Sequence, residues 1–157
     1  LYDEGVLRAI GVSNFLPHHL LNLFASANIR PMVNEIEFHP GYTQPYVTEF
    51  CRKNGIVLEG WSPIGRGRLL RLPLLREMGA RYGKSPAQLC IRFALQSGVL
   101  PLPKSSSRAR MLENLDVFDF TLSEEDFSRL ATLPQVGWSG KHPDFERWAP
   151  ELEAENR

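Results

Sequence analysis

Short apolar runs that end in polar residues alternate along the chain with stretches whose apolar residues recur at helical spacing. That alternation predicts parallel strands joined by crossover helices, an α/β architecture. The first run, Leu7 to Val12, ends at Ser13 and Asn14 and feeds a helix from about Pro17 to Ala27. Pro17 suits a first helical turn because its missing N–H would be unpaired there anyway. The second strand is Met32 to Glu37, and its helix runs from about Pro45 to Asn54 and stops at Gly55, a residue that takes the left-handed conformation of a helix end without strain. The third, Ile56 to Trp61, leads through the loop Ser62 to Gly67 into two helical stretches, Pro73 to Tyr82 and Pro86 to Ser97, the second with Ser85 placed as its cap. The fourth, Val99 to Lys104, passes through Ser105, Ser106 and Ser107 to a short helix at Arg108 to Leu115. Ser123, with Asp126 three residues on, then resembles a capping box that opens a last helix. After about Leu133 the periodicity ends, and residues 136–157 read as a tail that folds only against something else.

Strand starts are spaced by about one βα repeat, with extra helical material before the fourth. That spacing suits a small doubly wound sheet or part of a (β/α)₈ barrel, which needs about 250 residues when whole. A chain of 157 residues is too short for the whole barrel and has the length of one domain. Polar residues stand at the C-terminal ends of all four strands, where both folds place their ligands.

The 18 Lys and Arg balance the 18 Asp and Glu, so no net field draws the chain to nucleic acid or to an anionic membrane. Cys51 and Cys90 lie inside helical patterns without a Cys-x-x-Cys spacing, which fits buried thiols in a reducing compartment. With no apolar run long enough for a membrane span and no basic-then-apolar leader, the expected location is cytoplasmic. The chain opens on Leu1 and runs almost at once into its first strand, so it reads as a piece of something longer.

The most informative stretch is Leu102-Pro103-Lys104-Ser105, followed by Arg110, Glu113 and Asn114. A lysine and a serine leave a strand end, the next residues open a short helix whose free N–H groups attract anions, and Arg110 lies on its first turns. This outlines a phosphate site.

Four motifs share an order and spacing: Gly11-Val12-Ser13-Asn14-Phe15, Val33-Asn34-Glu35-Ile36-Glu37-Phe38-His39-Pro40, Trp61-Ser62-Pro63-Ile64-Gly65 and Pro103-Lys104-Ser105. Together they resemble the second half of the aldo-keto reductases, over about residues 1 to 135. The resemblance implies the C-terminal half of a (β/α)₈ TIM barrel, four parallel strands with crossover helices, and NADP(H) as cofactor. It further implies that Ser13 and Asn14 bond the nicotinamide carboxamide, that Trp61 stacks on the nicotinamide, and that Ser62, Ile64 and Arg66 line the pyrophosphate. Lys104, Ser105, Ser106 and Arg110 would hold the 2′-phosphate, with Glu113 and Asn114 on the adenine. An Arg fork and a Lys point charge suit a dianion.

Two positions depart from the family pattern. Glu35 stands where Gln is usual, and an ionised Glu accepts from an amide NH₂ but cannot donate to its oxygen. Trp61 stands where Tyr is commoner, and it still offers a stacking face. The family's catalytic Tyr, Lys, Asp and His lie on the first four strands of the barrel, which nothing here resembles. No catalytic residue is therefore assigned, and the chain alone is expected to be inactive. The resemblance implies a small carbonyl substrate for a complete enzyme, with the N-terminal half of the same barrel, or a second chain, covering the unpaired strand edges.

Two other readings of the same residues remain. Glu35, Glu37 and His39 alternate along one strand and so share a face, where they could hold Zn²⁺ or Mn²⁺ for a metal-dependent hydrolase. A non-catalytic half-barrel that acts as an assembly module is the other. His18 and His19 read as exposed helix residues, and His142 carries no usable signal.

Overall fold

The computed structural model describes residues 1–145. Strands β1 (Gly11–Ser13), β2 (Val33–Glu37), β3 (Val57–Trp61) and β4 (Leu100–Leu102) form one sheet in chain order, every neighbouring pair parallel. The connections carry helices α1 (Pro17–Ser26), α2 (Pro45–Lys53), α3 (Pro73–Tyr82), α4 (Pro86–Gln96), α5 (Arg108–Leu115) and α6 (Glu124–Ala131). Ile36 and Leu58 look to the helices and lie in one core with Leu20, Val47, Met78, Leu89, Phe93 and Leu130. The other face of the sheet is open among the described residues: Val57 is 48 %, Leu100 50 % and Leu102 44 % exposed. A sheet covered on one face, with apolar residues on the other, is half of a two-sided arrangement.

The outer strands are shorter than the apolar runs predict. Pairing of β1 begins where Met32 N donates to the Ile10 carbonyl, and residues 7–9, with no neighbour beyond them, form no ladder. In β4, Pro101 lacks an N–H and Pro103 follows at its end, which suits an edge strand. The loop after β3 is wound into two 3₁₀ turns, Gly65–Gly67 and Leu69–Arg71. At Gly65, φ is +54° and an added Cβ would meet Leu69 Cγ at 2.9 Å, so a side chain there would force the turn apart.

Ser85 caps α4 as expected, accepting from Gln88 N while Gln88 Oε1 accepts from Ser85 N. At Ser123 only one arm of the capping box forms. Ser123 Oγ accepts from Asp126 N, whereas the Asp126 carboxylate turns to Arg81 Nη2 at 2.6 Å and the Tyr82 hydroxyl at 2.8 Å.

The expected tail is not loose over its first residues. Ser139 N and Oγ donate to the two carboxylate oxygens of Glu37, at 2.9 and 2.7 Å. Arg68 Nη1 donates to the Trp138 carbonyl, and the Trp138 ring stacks on Tyr42 with centroids 5.7 Å apart. The segment is thus a strap over the C-terminal end of β2. The rest of the tail, residues 146–157, lies outside the described residues. Among the described residues, no helix is long and apolar enough to cross a membrane.

Candidate functional site

The strand ends of β1 and β3 are joined by a chain of hydrogen bonds. Trp61 Nε1 donates to Asn14 Oδ1 at 2.8 Å, Asn14 Nδ2 donates to Ser13 Oγ at 3.1 Å, and Ser13 Oγ donates to the Glu35 carbonyl at 3.1 Å. Asn14 holds a left-handed backbone with φ 58°, a conformation its short polar side chain tolerates. The turn is fixed from below by Asn34, fully buried, whose amide both donates to the Phe15 carbonyl and accepts from Phe15 N. The motif spelled this residue, yet the sequence did not disclose its positioning role. Ser13 and Asn14 open on a cavity of about 680 Å³ that also meets His19 and Asp144. Beside Trp61, the Arg66 guanidinium lies 5.7 Å from the ring centroid, within cation–π range. Ser62 and Arg66 both have positive φ, so the loop turns back at the end of β3.

A second cavity, of about 390 Å³, collects Lys104, Ser105, Arg110, Glu113, Asn114 and Ile64. The first five were expected together and they meet, and Ile64, expected beside the pyrophosphate, lines the same cavity. Ser106 is exposed and does not line it. Arg76 of α3 joins them, although the sequence gave α3 no functional weight. Its signal was available only as an arginine on the first turn of that helix. Among the described residues, no ion pair or side-chain hydrogen bond engages Lys104, Arg76 or Arg110, so three cationic side chains around one hollow, which Glu113 also lines, stand without a salt-bridge partner among those residues. The N-terminus of α5 adds its free N–H groups, since Ser107 supplies no side-chain cap.

Glu35 contributes to the first group through its backbone only. Its carboxylate lies on the open face of the sheet, in a cavity of about 410 Å³ shared with Ser13, Val33 and Glu59. Glu59 pairs in register with Glu35, a neighbour that counting alternate residues back from Trp61 would have disclosed.

The geometry does not assemble a metal trio from Glu35, Glu37 and His39. Glu37 and His39 are buried in contact at 3.4 Å, but both Glu37 oxygens are taken by Ser139, and Glu35 lies outside the group. Among the described residues, the trio whose ligand atoms converge is His18, His19 and Asp144, all within 4.8 Å. There His19 Nδ1 accepts from Leu16 N, so the neutral ring carries its proton on Nε2, the nitrogen 3.1 Å from Asp144. A protonated nitrogen donates to the carboxylate and has no lone pair for a metal. His18, exposed on α1 as expected, and His19, half-buried there, both reach Asp144 and so tie α1 to the strap segment.

The model of the "Aldo/keto reductase family" matches residues 1–134. Glyoxal reductase of Bacillus subtilis (strain 168) is 46 % identical over 144 residues, which are 92 % of this chain and 52 % of that protein. The 9,11-endoperoxide prostaglandin H2 reductase of Trypanosoma cruzi (strain CL Brener) is 44 % identical over 147 residues, 92 % of this chain and 52 % of its own length. A crystal structure of a Bombyx mori aldo-keto reductase in complex with NADP superimposes with a TM-score of 0.76 at 33 % identity, over 83 % of this chain and 46 % of that one. The chain therefore spans about half the length of the relatives it matches.

Proposed function

This chain belongs to the aldo/keto reductase family, and from that premise we propose that it supplies the NADP(H)-holding half of a (β/α)₈ barrel whose complete form reduces aldehydes or ketones to alcohols. The observation that carries this reading is the 390 Å³ cavity. Lys104, Arg110 and Arg76 surround it with one acid, Glu113, and no ion pair engages the three among the described residues, at a helix N-terminus that follows a strand end. A phosphate dianion is the ligand that such a set accommodates, because charge-assisted bonds to Arg and Lys replace its hydration. The NADP complex of the silkworm relative adds support.

In this reading Lys104, Ser105 and Arg110 grip the 2′-phosphate, with Glu113 and Asn114 on the adenine. Ile64, Ser62 and Arg66 flank the pyrophosphate along the turn after β3. Ser13 and Asn14 hold the carboxamide, since Asn14 keeps one N–H and Ser13 one lone pair beyond the bonds they already make. Trp61 presents a ring face beside them. When bound, NADPH supplies the hydride that adds to the substrate's carbonyl carbon. The proton for the carbonyl oxygen needs a donor within hydrogen-bond reach. No residue of this chain is assigned that role, so it falls to the strands that complete the barrel. Residues 1–135 form the nucleotide-holding part, and 136–157 the tail whose first turn straps Glu37. Cys51 and Cys90, both buried thiols, fit a cytoplasmic setting.

The test is a titration of the chain with NADPH and with NADH, before and after Arg110→Ala. A charge-assisted bond contributes about 1.5–3 kcal/mol, roughly ten- to a hundredfold in affinity. The substitution should weaken NADPH by that factor and leave NADH nearly unchanged. Equal weakening of both would make Arg110 structural and sink the assignment.

A further inference from the structure

Resting on the half-barrel reading, we propose that the partner covering the open face of the sheet carries a lysine or arginine that seats between Glu35 and Glu59. The two glutamates are partners in the parallel register of β2 and β3, so their side chains leave the same face about one strand spacing, roughly 4.8 Å, apart. Both line one cavity of about 410 Å³ with Ser13 and Val33, and no cationic residue lines it. Neither carboxylate has a hydrogen bond or ion pair among the described residues. In the open sheet, water solvates them.

Closing a barrel removes that water. The outer edges of β1 and β4 are unpaired among the described residues, and Val57, Leu100 and Leu102 stand exposed on the same face. Strands that pair with those edges bury the apolar residues and the two carboxylates together. Like charges side by side on a sheet repel, and repel more as the dielectric around them falls. A buried charge persists only when it is paired. The covering surface must therefore combine apolar residues with at least one cation at the level of the Ser13, Glu35 and Glu59 layer.

This requirement disfavours two other occupants. A second copy of the chain would bring its own Glu35 and Glu59 into the closed interior, giving four carboxylates from two cavities that no cation lines. Residues 146–157 do hold two arginines, but their four glutamates would bring more negative charge than positive to the same face, so they suit the seat less well than a surface with an unopposed cation.

The probe is the segment of Bacillus subtilis glyoxal reductase that precedes its matched region, co-expressed with the full chain and its variants and followed by sedimentation at low and at high salt. The wild-type chain should form a one-to-one complex that weakens as salt rises. Glu35→Gln with Glu59→Gln, isosteric changes on an exposed face, should weaken that complex by at least about tenfold and remove most of its salt dependence. Glu59→Asp, which keeps the charge, should retain binding. A double variant that pairs as tightly as wild type would overturn the cationic seat and leave the half-barrel reading standing. Failure of the wild-type chain to form any complex would overturn the half-barrel reading and the seat with it. Tight self-association of the wild-type chain would overturn the case against a second copy.

Discussion

The Trp61 indole donates to Asn14 across 47 residues of chain, and the bond passes over the end of β2 to fasten β3 to β1. It holds the left-handed turn at Asn14 in place while leaving one face of the indole for a ligand. Trp61→Phe keeps a flat face and loses the donor, so it should cost about 0.5–1.5 kcal/mol of stability. Asn14→Ala loses the acceptor and strains a non-glycine residue at φ 58°, and should cost about 1–3 kcal/mol. Urea unfolding of both single variants and the double variant measures the coupling. Strict additivity would mean that the bond contributes nothing.

The chain by itself should not turn over. If, as proposed, the proton donor lies on strands outside this chain, NADPH mixed with the chain and simple aldehydes should be oxidised no faster than with heat-killed protein, and EDTA should change nothing. Turnover above that control would direct attention to Tyr2, Tyr42, Tyr46 and Tyr82. Metal-dependent ester hydrolysis abolished by Glu37→Ala would restore the hydrolase reading.

Acid should loosen α6 through Asp126. Burial raises its carboxyl pKa, and the Tyr82 hydroxyl and the Arg81 guanidinium together outweigh burial, so the group titrates below the ordinary carboxylate value. A folded-state pKa below the unfolded one stabilises the protein above the unfolded value, about 4, and that contribution drains away as pH falls through the folded value. Arg81 is 54 % exposed, so solvent screens its share. Asp126→Asn should therefore cost about 2 kcal/mol at pH 7 and flatten the stability curve below about pH 4. Asp116, 61 % exposed beside Lys84, serves as the control, and its Asn variant should move the curve little. An unchanged acid limb in Asp126→Asn would refute the assignment.

Strand order and helix positions were legible because alternation of apolar runs and helical spacing records them directly. α3 and α5 fall where the pattern predicts. The length of β1 was not legible, because an apolar run records burial, and ladder pairing also needs a neighbour on each side. The cavity around Lys104 was readable from Lys104 to Asn114, a stretch of local sequence. Arg76 and Glu59 were not, since each acquires meaning only from a residue on another element. Glu37 misled for the same reason: its spacing to His39 suggests a ligand set, whereas its actual partner is Ser139, 102 residues away.

That long-range clasp sets an order of assembly. Every strand pairs only with its neighbour in sequence, so each ladder can close as soon as its own repeat has left the ribosome, with little loop-closure entropy to overcome. The clasp alone must wait for Ser139. Until then Glu37 has only His39 against its carboxylate, and the nascent sheet keeps that polar group uncovered at the end of β2. A polar group in that place should hinder premature stacking of one unfinished chain on another, so the strap closes late and the glutamate beneath it serves as a guard until it does.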